Sequence, residues 1–121
     1  MSLTVLTVDD SRTMRQMLQH ALTQAGFSVI QAEDGVEGLE VLSRSSPDAI
    51  VTDINMPRMD GFGFIEEVRR QSDYRAIPIL VLTTESDGEK KERARRAGAT
   101  GWIVKPFDPE KLVNAIRRVT A

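Results

Sequence analysis

Four groups of residues able to do chemistry stand at the ends of apolar runs. Asp9 and Asp10 follow Leu3–Val8, Asp53 closes Ala49–Asp53, Thr83 and Thr84 follow Ile79–Leu82, and Lys105 closes Gly101–Lys105. Each has an ordinary explanation when taken alone. Asp9 or Asp10 can stabilise a helix N-terminus through the dipole. Asp53 can be a solvated loop acid, Thr83 a plain strand residue, and Lys105 a solvated cation. Together they carry more weight, because ligands bind off the carboxyl ends of the strands in a parallel α/β sheet.

Electrostatics limits what such a cluster can be. Two carboxylates about 4 Å apart repel by roughly 4 kcal/mol at an effective dielectric of 20. Three of them need a cation to stay ionised. Carboxylates, a backbone carbonyl and water suit Mg²⁺, a hard ion that keeps much of its hydration. No histidine or cysteine cluster points to a softer metal: there is no cysteine, and the lone His20 falls in the first expected helix, on its surface. Asp9, Asp10 and Asp53 bring a formal −3, which Mg²⁺ and Lys105 together neutralise. If Asp53 accepts a phosphoryl group as a nucleophile, its own charge is replaced by about −2 on new acceptor oxygens. Lys105 can pair with one oxygen, and the Thr83 hydroxyl can swing to donate to another. Added charge thereby becomes movement at the end of the fourth strand.

The elements that must position these residues are legible as a strand–helix alternation. Leu3–Val8 reads as a buried strand. Ser11 caps a helix whose apolar stripe is Met14, Met17, Leu18, Ala21, Leu22 and Ala25, ended by Gly26. Phe27–Ala32 is more polar and belongs at a sheet edge. Asp34-Gly35 turns the chain, and Val36, Leu39 and Leu42 mark a second helix that stops before Pro47. After the Pro57–Gly61 turn, Phe62, Ile65 and Val68 begin a third helix. Ile79–Leu82 is the most apolar strand and is expected to be central. The fourth helix, Gly88–Ala97, has only Ala94 and Ala97 as apolar residues among seven charged ones. It is either the least anchored element, open to a partner, or a plain solvated face laced by ion pairs. Leu112, Ile116 and Val119 give a last amphipathic helix. Alternation of this kind predicts a doubly wound (βα)5 fold with a parallel sheet and helices on both faces.

The totals suit one soluble domain spanning residues 1–121. Hydrophobic residues make up 40% and charged residues 28%, and the net charge is −2, which offers no global attraction to nucleic acid or anionic membrane. No apolar run approaches the roughly 20 residues of a membrane span, and no signal peptide precedes the first strand. A reducing cytoplasm fits the absence of cysteine.

The set Val8-Asp9-Asp10, Asp53-Ile54-Asn55-Met56-Pro57, Met59-Asp60-Gly61, Leu82-Thr83-Thr84 and Lys105-Pro106-Phe107 resembles the receiver domain of two-component response regulators. The likeness covers the whole chain and is strongest to the single-domain chemotaxis type. It implies a five-stranded flavodoxin-like sheet of order 2-1-3-4-5. It also implies Asp53 as phosphoacceptor, and Asp10, Asp53 and the Asn55 carbonyl as direct Mg²⁺ ligands with Asp9 acting through water. Phosphoryl contacts fall to Thr83, the Thr84 amide and Lys105, and a cis peptide to Lys105–Pro106. The switch aromatic, usually tyrosine or phenylalanine, is Trp102 here. A buried indole needs a partner for its N–H, so Trp102 is either a moving switch residue or a static anchor on the output face. Asn55 and Glu85 match positions flanking the path of the attacking water, which implies a short-lived phosphoryl state.

On this reading a chemotaxis-type sensor histidine kinase phosphorylates a cytoplasmic monomer. Apart from that self-phosphorylation and self-dephosphorylation the chain is not an enzyme. The face of the fourth helix, fifth strand and fifth helix then binds the flagellar motor switch protein. A phosphate sink that drains the kinase without binding the motor is a close alternative. A haloacid-dehalogenase-like phosphohydrolase fits poorly, because that class carries its nucleophile as Asp-x-Asp after the first strand. A flavodoxin-like cofactor site fits poorly too, since Asp9-Asp10-Ser11-Arg12 repels phosphate in the absence of metal. Neither nucleic acid nor membrane is expected as a partner.

Overall fold

The computed structural model describes residues 2–121. Five strands, β1 (Thr4–Val8), β2 (Ser28–Ala32), β3 (Ala49–Thr52), β4 (Ile79–Thr83) and β5 (Gly101–Val104), alternate with five helices. The helices are α1 (Arg12–Gln24), α2 (Gly35–Ser43), α3 (Gly61–Arg70), α4 (Gly88–Ala97) and α5 (Pro109–Thr120). All strand pairs are parallel, in the order β2-β1-β3-β4-β5.

Side-chain alternation along the strands divides the core into two layers. Leu6, Val8, Ile50, Ile79 and Val81 face a layer closed by Leu42, Phe64, Ile65, Val68 and Ala94, from α2, α3 and α4. Val5, Val51, Leu80 and Leu82 face the opposite layer, closed by Leu18 and Leu22 of α1 and Leu112, Val113 and Ile116 of α5. Every residue of β4 is buried, as its composition predicts, and β4 is an interior strand beside the middle strand β3. An apolar sequence reports burial on both faces, which any interior strand of a parallel sheet has. The polar β2 is at an edge as expected, with β5 at the other.

Helix starts are set by short polar caps. Ser11, Asp34, Asp60, Asp87 and Asp108 each accept a backbone N–H from the first turn of the following helix. Asp34-Gly35 is therefore a helix entrance rather than a free turn. A single 3-10 turn at Ser72–Tyr74, unanticipated in the sequence, follows α3.

α4 buries only Ala94. Its C-terminal end is nevertheless fixed, by Arg69 of α3. The guanidinium Nε and Nη2 donate to the Gly98 carbonyl at 3.1 and 2.7 Å, and Nη1 donates to the Tyr74 carbonyl at 2.9 Å. Gly98 adopts the left-handed conformation that ends the helix, with φ 119°. A Cβ there would also lie 2.7 Å from the Arg69 side chain.

Candidate acidic site at the strand ends

The backbone ladder continues one residue past the strands and carries the functional groups with it. Asp9 N donates to the Ala32 carbonyl (3.1 Å), Asp53 N to Val8 (2.9 Å) and Lys105 N to Thr83 (2.8 Å). Parallel strands in register therefore bring Asp9, Asp53, Thr83 and Lys105 to one edge of the sheet. Lys105 Nζ bridges Asp53 Oδ2 at 2.8 Å and Asp9 Oδ2 at 2.9 Å. The other oxygens accept backbone N–H groups: Asp53 Oδ1 from Ile54 at 2.6 Å, and Asp9 Oδ1 from Ser11 at 2.9 Å. The three side chains are only 10%, 11% and 3% exposed for Lys105, Asp53 and Asp9, so their charges must be met inside the protein. Asp10 stands exposed at the mouth and takes no part in the lysine bridge. Its carboxylate still lies within 4.8 Å of ligand oxygens from Asp9 and Asp53, a grouping able to hold a metal ion. These donors are all oxygen, which fits a hard dication.

Burial drives the Asp9 carboxyl above its ordinary value. The hydrogen bond and charge of Lys105 pull it back down without overcoming that cost. Burial also opposes the charge on Lys105, but its hydrogen bonds to Asp53 and Asp9 and their charges outweigh it and raise the ammonium above its ordinary value. Lys105 therefore stays a cation that compensates the acids.

Behind the acids the packing is tight. A Cβ on Gly61, the first residue of α3, would lie 2.3 Å from the Asp53 carbonyl oxygen and 2.8 Å from the Ile54 Cα. Only glycine lets α3 approach the strand end so closely. The loop between Asp53 and Gly61 is held by a pair that sequence reasoning missed. Arg58 donates through Nε and Nη2 to Asp34 Oδ2 and Oδ1, at 2.7 and 3.1 Å. Arg58 itself has φ 65°, unusual for a residue other than glycine. The Arg58 hydrogen bond to Asp34 is the main reason its carboxyl is held below the usual aspartate range. Two residues 24 positions apart leave no local pattern to announce the contact.

Thr83 is fully buried, and its Oγ1 accepts the Glu85 N–H at 3.3 Å. Thr84 follows, exposed. Glu85 gathers the remaining residues. Its Oε1 accepts Asn55 Nδ2 at 3.0 Å and pairs with Lys90 Nζ at 3.1 Å, while its carbonyl accepts the Trp102 indole N–H at 3.1 Å. The half-buried Trp102 thus has the partner its N–H requires, and its ring packs on the α2–α3–α4 layer. The Lys105–Pro106 peptide is cis. Lys90, also missed, lies five residues past Glu85 across a loop and a helix start, so helical spacing gives no hint of the pair.

The response regulator receiver domain profile matches residues 5–117. The chain belongs to the response regulator receiver family. This receiver is 39% identical to the probable chemotaxis protein CheY of Rhizobium etli, over 95% of the chain and 90% of that protein. It is also 39% identical to the probable transcriptional regulator ycf27 of Porphyridium aerugineum, over 95% of the chain and 47% of that protein. The receiver thus spans about half the length of some curated relatives and nearly all of others. Among solved structures it is similar to the chemotaxis response regulator CheY4 of Vibrio cholerae. The TM-score is 0.93 and the identity 49%, covering 98% of this chain and 99% of that one.

Proposed function

We propose that this receiver is a chemotaxis response regulator that takes a phosphoryl group on Asp53 from a chemotaxis-type sensor histidine kinase. The observation that carries the reading is the Lys105 ammonium bridging Asp9 and Asp53 beside the exposed Asp10, a buried cation already placed against the proposed nucleophile. An Asp53 carboxylate oxygen attacks the phosphorus of a phosphohistidine. The P–O bond forms as the P–N bond breaks, and the released imidazole takes a proton from water. Asp10, Asp53 and the Asn55 carbonyl would hold Mg²⁺ directly, with Asp9 acting through water. When bound, the ion supplies charge neutralisation for the acids and for the transferring phosphoryl oxygens.

The chain's own residues then supply the switch. Lys105 pairs with a phosphoryl oxygen, and the Thr84 amide donates to the group. The Thr83 hydroxyl gives up its long contact with the Glu85 N–H to donate to another oxygen. Glu85 follows, and Trp102 feels the change through the Glu85 carbonyl. The face built by α4, β5 and α5 then binds the flagellar motor switch as a cytoplasmic monomer. Self-phosphorylation and self-dephosphorylation on Asp53 are its only catalysis. Likeness to CheY proteins over nearly their whole length supports the chemotaxis assignment.

The test is transfer followed by capture. Labelled kinase phosphohistidine should pass its phosphoryl group to the wild-type chain and not to Asp53→Ala. Immobilised motor switch protein should then retain more phosphorylated than unphosphorylated chain. Transfer without retention would make the chain a phosphate sink, and absence of transfer would remove the reading.

A further inference from the structure

The Asn55–Glu85–Lys90 bridge joins three segments at the carboxyl edge of the sheet, two of them leading directly from the site strands β3 and β4. Asn55 comes from the loop after β3, Glu85 from the loop after β4, and Lys90 from the first turn of α4. A single atom, Glu85 Oε1, takes both donors, at 3.0 and 3.1 Å. Beyond the local Asp87 cap, α4 makes no other side-chain hydrogen bond or ion pair to another element at this end among the described residues. A Cβ on Gly88 would meet nothing within 4 Å; the one buried residue of the helix, Ala94, comes one turn after Lys90, and the Arg93 guanidinium lies over the Phe62 ring at 4.0 Å. The helix is thus fixed at its C-terminal end by Arg69, rests on Phe62 through Arg93, and is strapped at its first turn by one half-exposed ion pair.

We propose that Lys90 is a positioning residue: it holds the Glu85 carboxylate against Asn55, straps the first turn of α4 to the loops after β3 and β4, and slows loss of phosphate from the Asp53 site. The step from geometry to rate rests on the proposed phosphorylation of Asp53; the strap itself does not. Lys90 also offsets the Glu85 charge. Without it, an uncompensated carboxylate would face a phosphoryl group carrying about −2, and repulsion would swing it away and open the path for water. Because the pair is half-exposed, salt should loosen the strap.

The chain has a single tryptophan, so its indole N–H gives one unambiguous signal in an amide-correlation NMR spectrum. Trp102 donates to the Glu85 carbonyl and reports the strap without any phosphodonor. Lys90→Gln should shift this signal in the same direction as Glu85→Gln. Lys90→Arg should leave it near the wild-type position, and the neighbouring Lys91→Gln should not move it. Raising salt should shift the wild-type signal toward that of Lys90→Gln. With acetyl phosphate as donor, Lys90→Gln should speed decay of the phosphoryl adduct about two- to fivefold, the range open to a half-exposed ion pair. That gain should vanish in the Glu85→Gln background. An indole signal unmoved by Lys90→Gln, or an equal rate change in both backgrounds, would overturn the proposal. An absent adduct in the wild type would instead count against phosphorylation of Asp53, and the NMR arms would still decide the strap.

Discussion

Replacing Lys105 with methionine removes the one cation held between two buried acids, and the consequences can be worked from the distances. The ammonium lies 2.8 Å from Asp53 and 2.9 Å from Asp9. Without it, carboxylates whose ligand oxygens lie within 4.8 Å of one another are left uncompensated. At the outer end of that range each pair repels by about 3.5 kcal/mol at an effective dielectric of 20. Breaking a buried ion pair by removing one partner costs about 3–5 kcal/mol. Proton uptake by Asp9, already raised by burial, limits the loss, so about 3 kcal/mol is expected. For a domain of this size that lowers Tm by about 10 °C.

The pH dependence has a definite sign. Lys105 is raised in the folded chain, so its contribution is complete below its unfolded value and is lost only as alkaline pH passes the folded value. In Lys105→Met the repulsion ends once a carboxylate is protonated. The deficit against wild type should therefore shrink as pH falls into the carboxylate range. Mg²⁺ should also raise Tm more in the variant than in the wild type. Thermal melts at neutral and acidic pH, with and without Mg²⁺, measure all of this. An unchanged Tm at neutral pH without Mg²⁺, or a deficit that widens on acidification, would refute the argument.

Three further outcomes follow from the same contacts. Gly61→Ala drives a Cβ to 2.3 Å from the Asp53 carbonyl oxygen and should cost about 1–3 kcal/mol in urea unfolding; an unchanged midpoint would contradict the packing described. Asp34→Asn keeps a helix cap but removes the charge paired with Arg58, so it should be less stable than wild type at neutral pH. Because the Asp34 carboxyl is depressed in the folded chain, its contribution is present above the unfolded value and lost as pH falls through the folded one. The two proteins should therefore converge in strong acid. Asn55→Lys and Glu85→Arg, which alter the Asn55–Glu85 bridge, should change the decay rate of the phosphoryl adduct, and a wild-type decay rate in both variants would remove these residues from that role.

The acids, the threonine and the lysine were legible because a parallel sheet turns sequence order into spatial convergence. Asp9, Asp53, Thr83 and Lys105 each sit at or one residue beyond a strand's carboxyl end, and register does the rest. Of the caps, Ser11 is legible from its place before an apolar stripe, whereas Asp34 and Asp60 read as parts of turns and Asp87 and Asp108 carry no distinct signal. The need of Trp102 for a partner could be read from its chemistry, but not that the Glu85 carbonyl would supply it. Long side chains that cross between elements were invisible. Arg58 reaches Asp34, Arg69 reaches Gly98, and Lys90 reaches Glu85, and none of these pairs has a spacing that marks it. The weak burial of α4 was legible from its two alanines, whereas its anchor lies on another helix. The apolar composition of β4 marked it as an interior strand, which it is, because such composition tells interior from edge.

The most direct test of the account is the Trp102 signal during acetyl phosphate treatment in Mg²⁺, followed alongside intact mass, with Asp53→Ala as the control. A phosphoryl adduct is expected only when Asp53 and Mg²⁺ are both present, with a fluorescence change that rises with the adduct and decays as the donor is spent. An adduct that survives Asp53→Ala, or no adduct in the wild type, would contradict it.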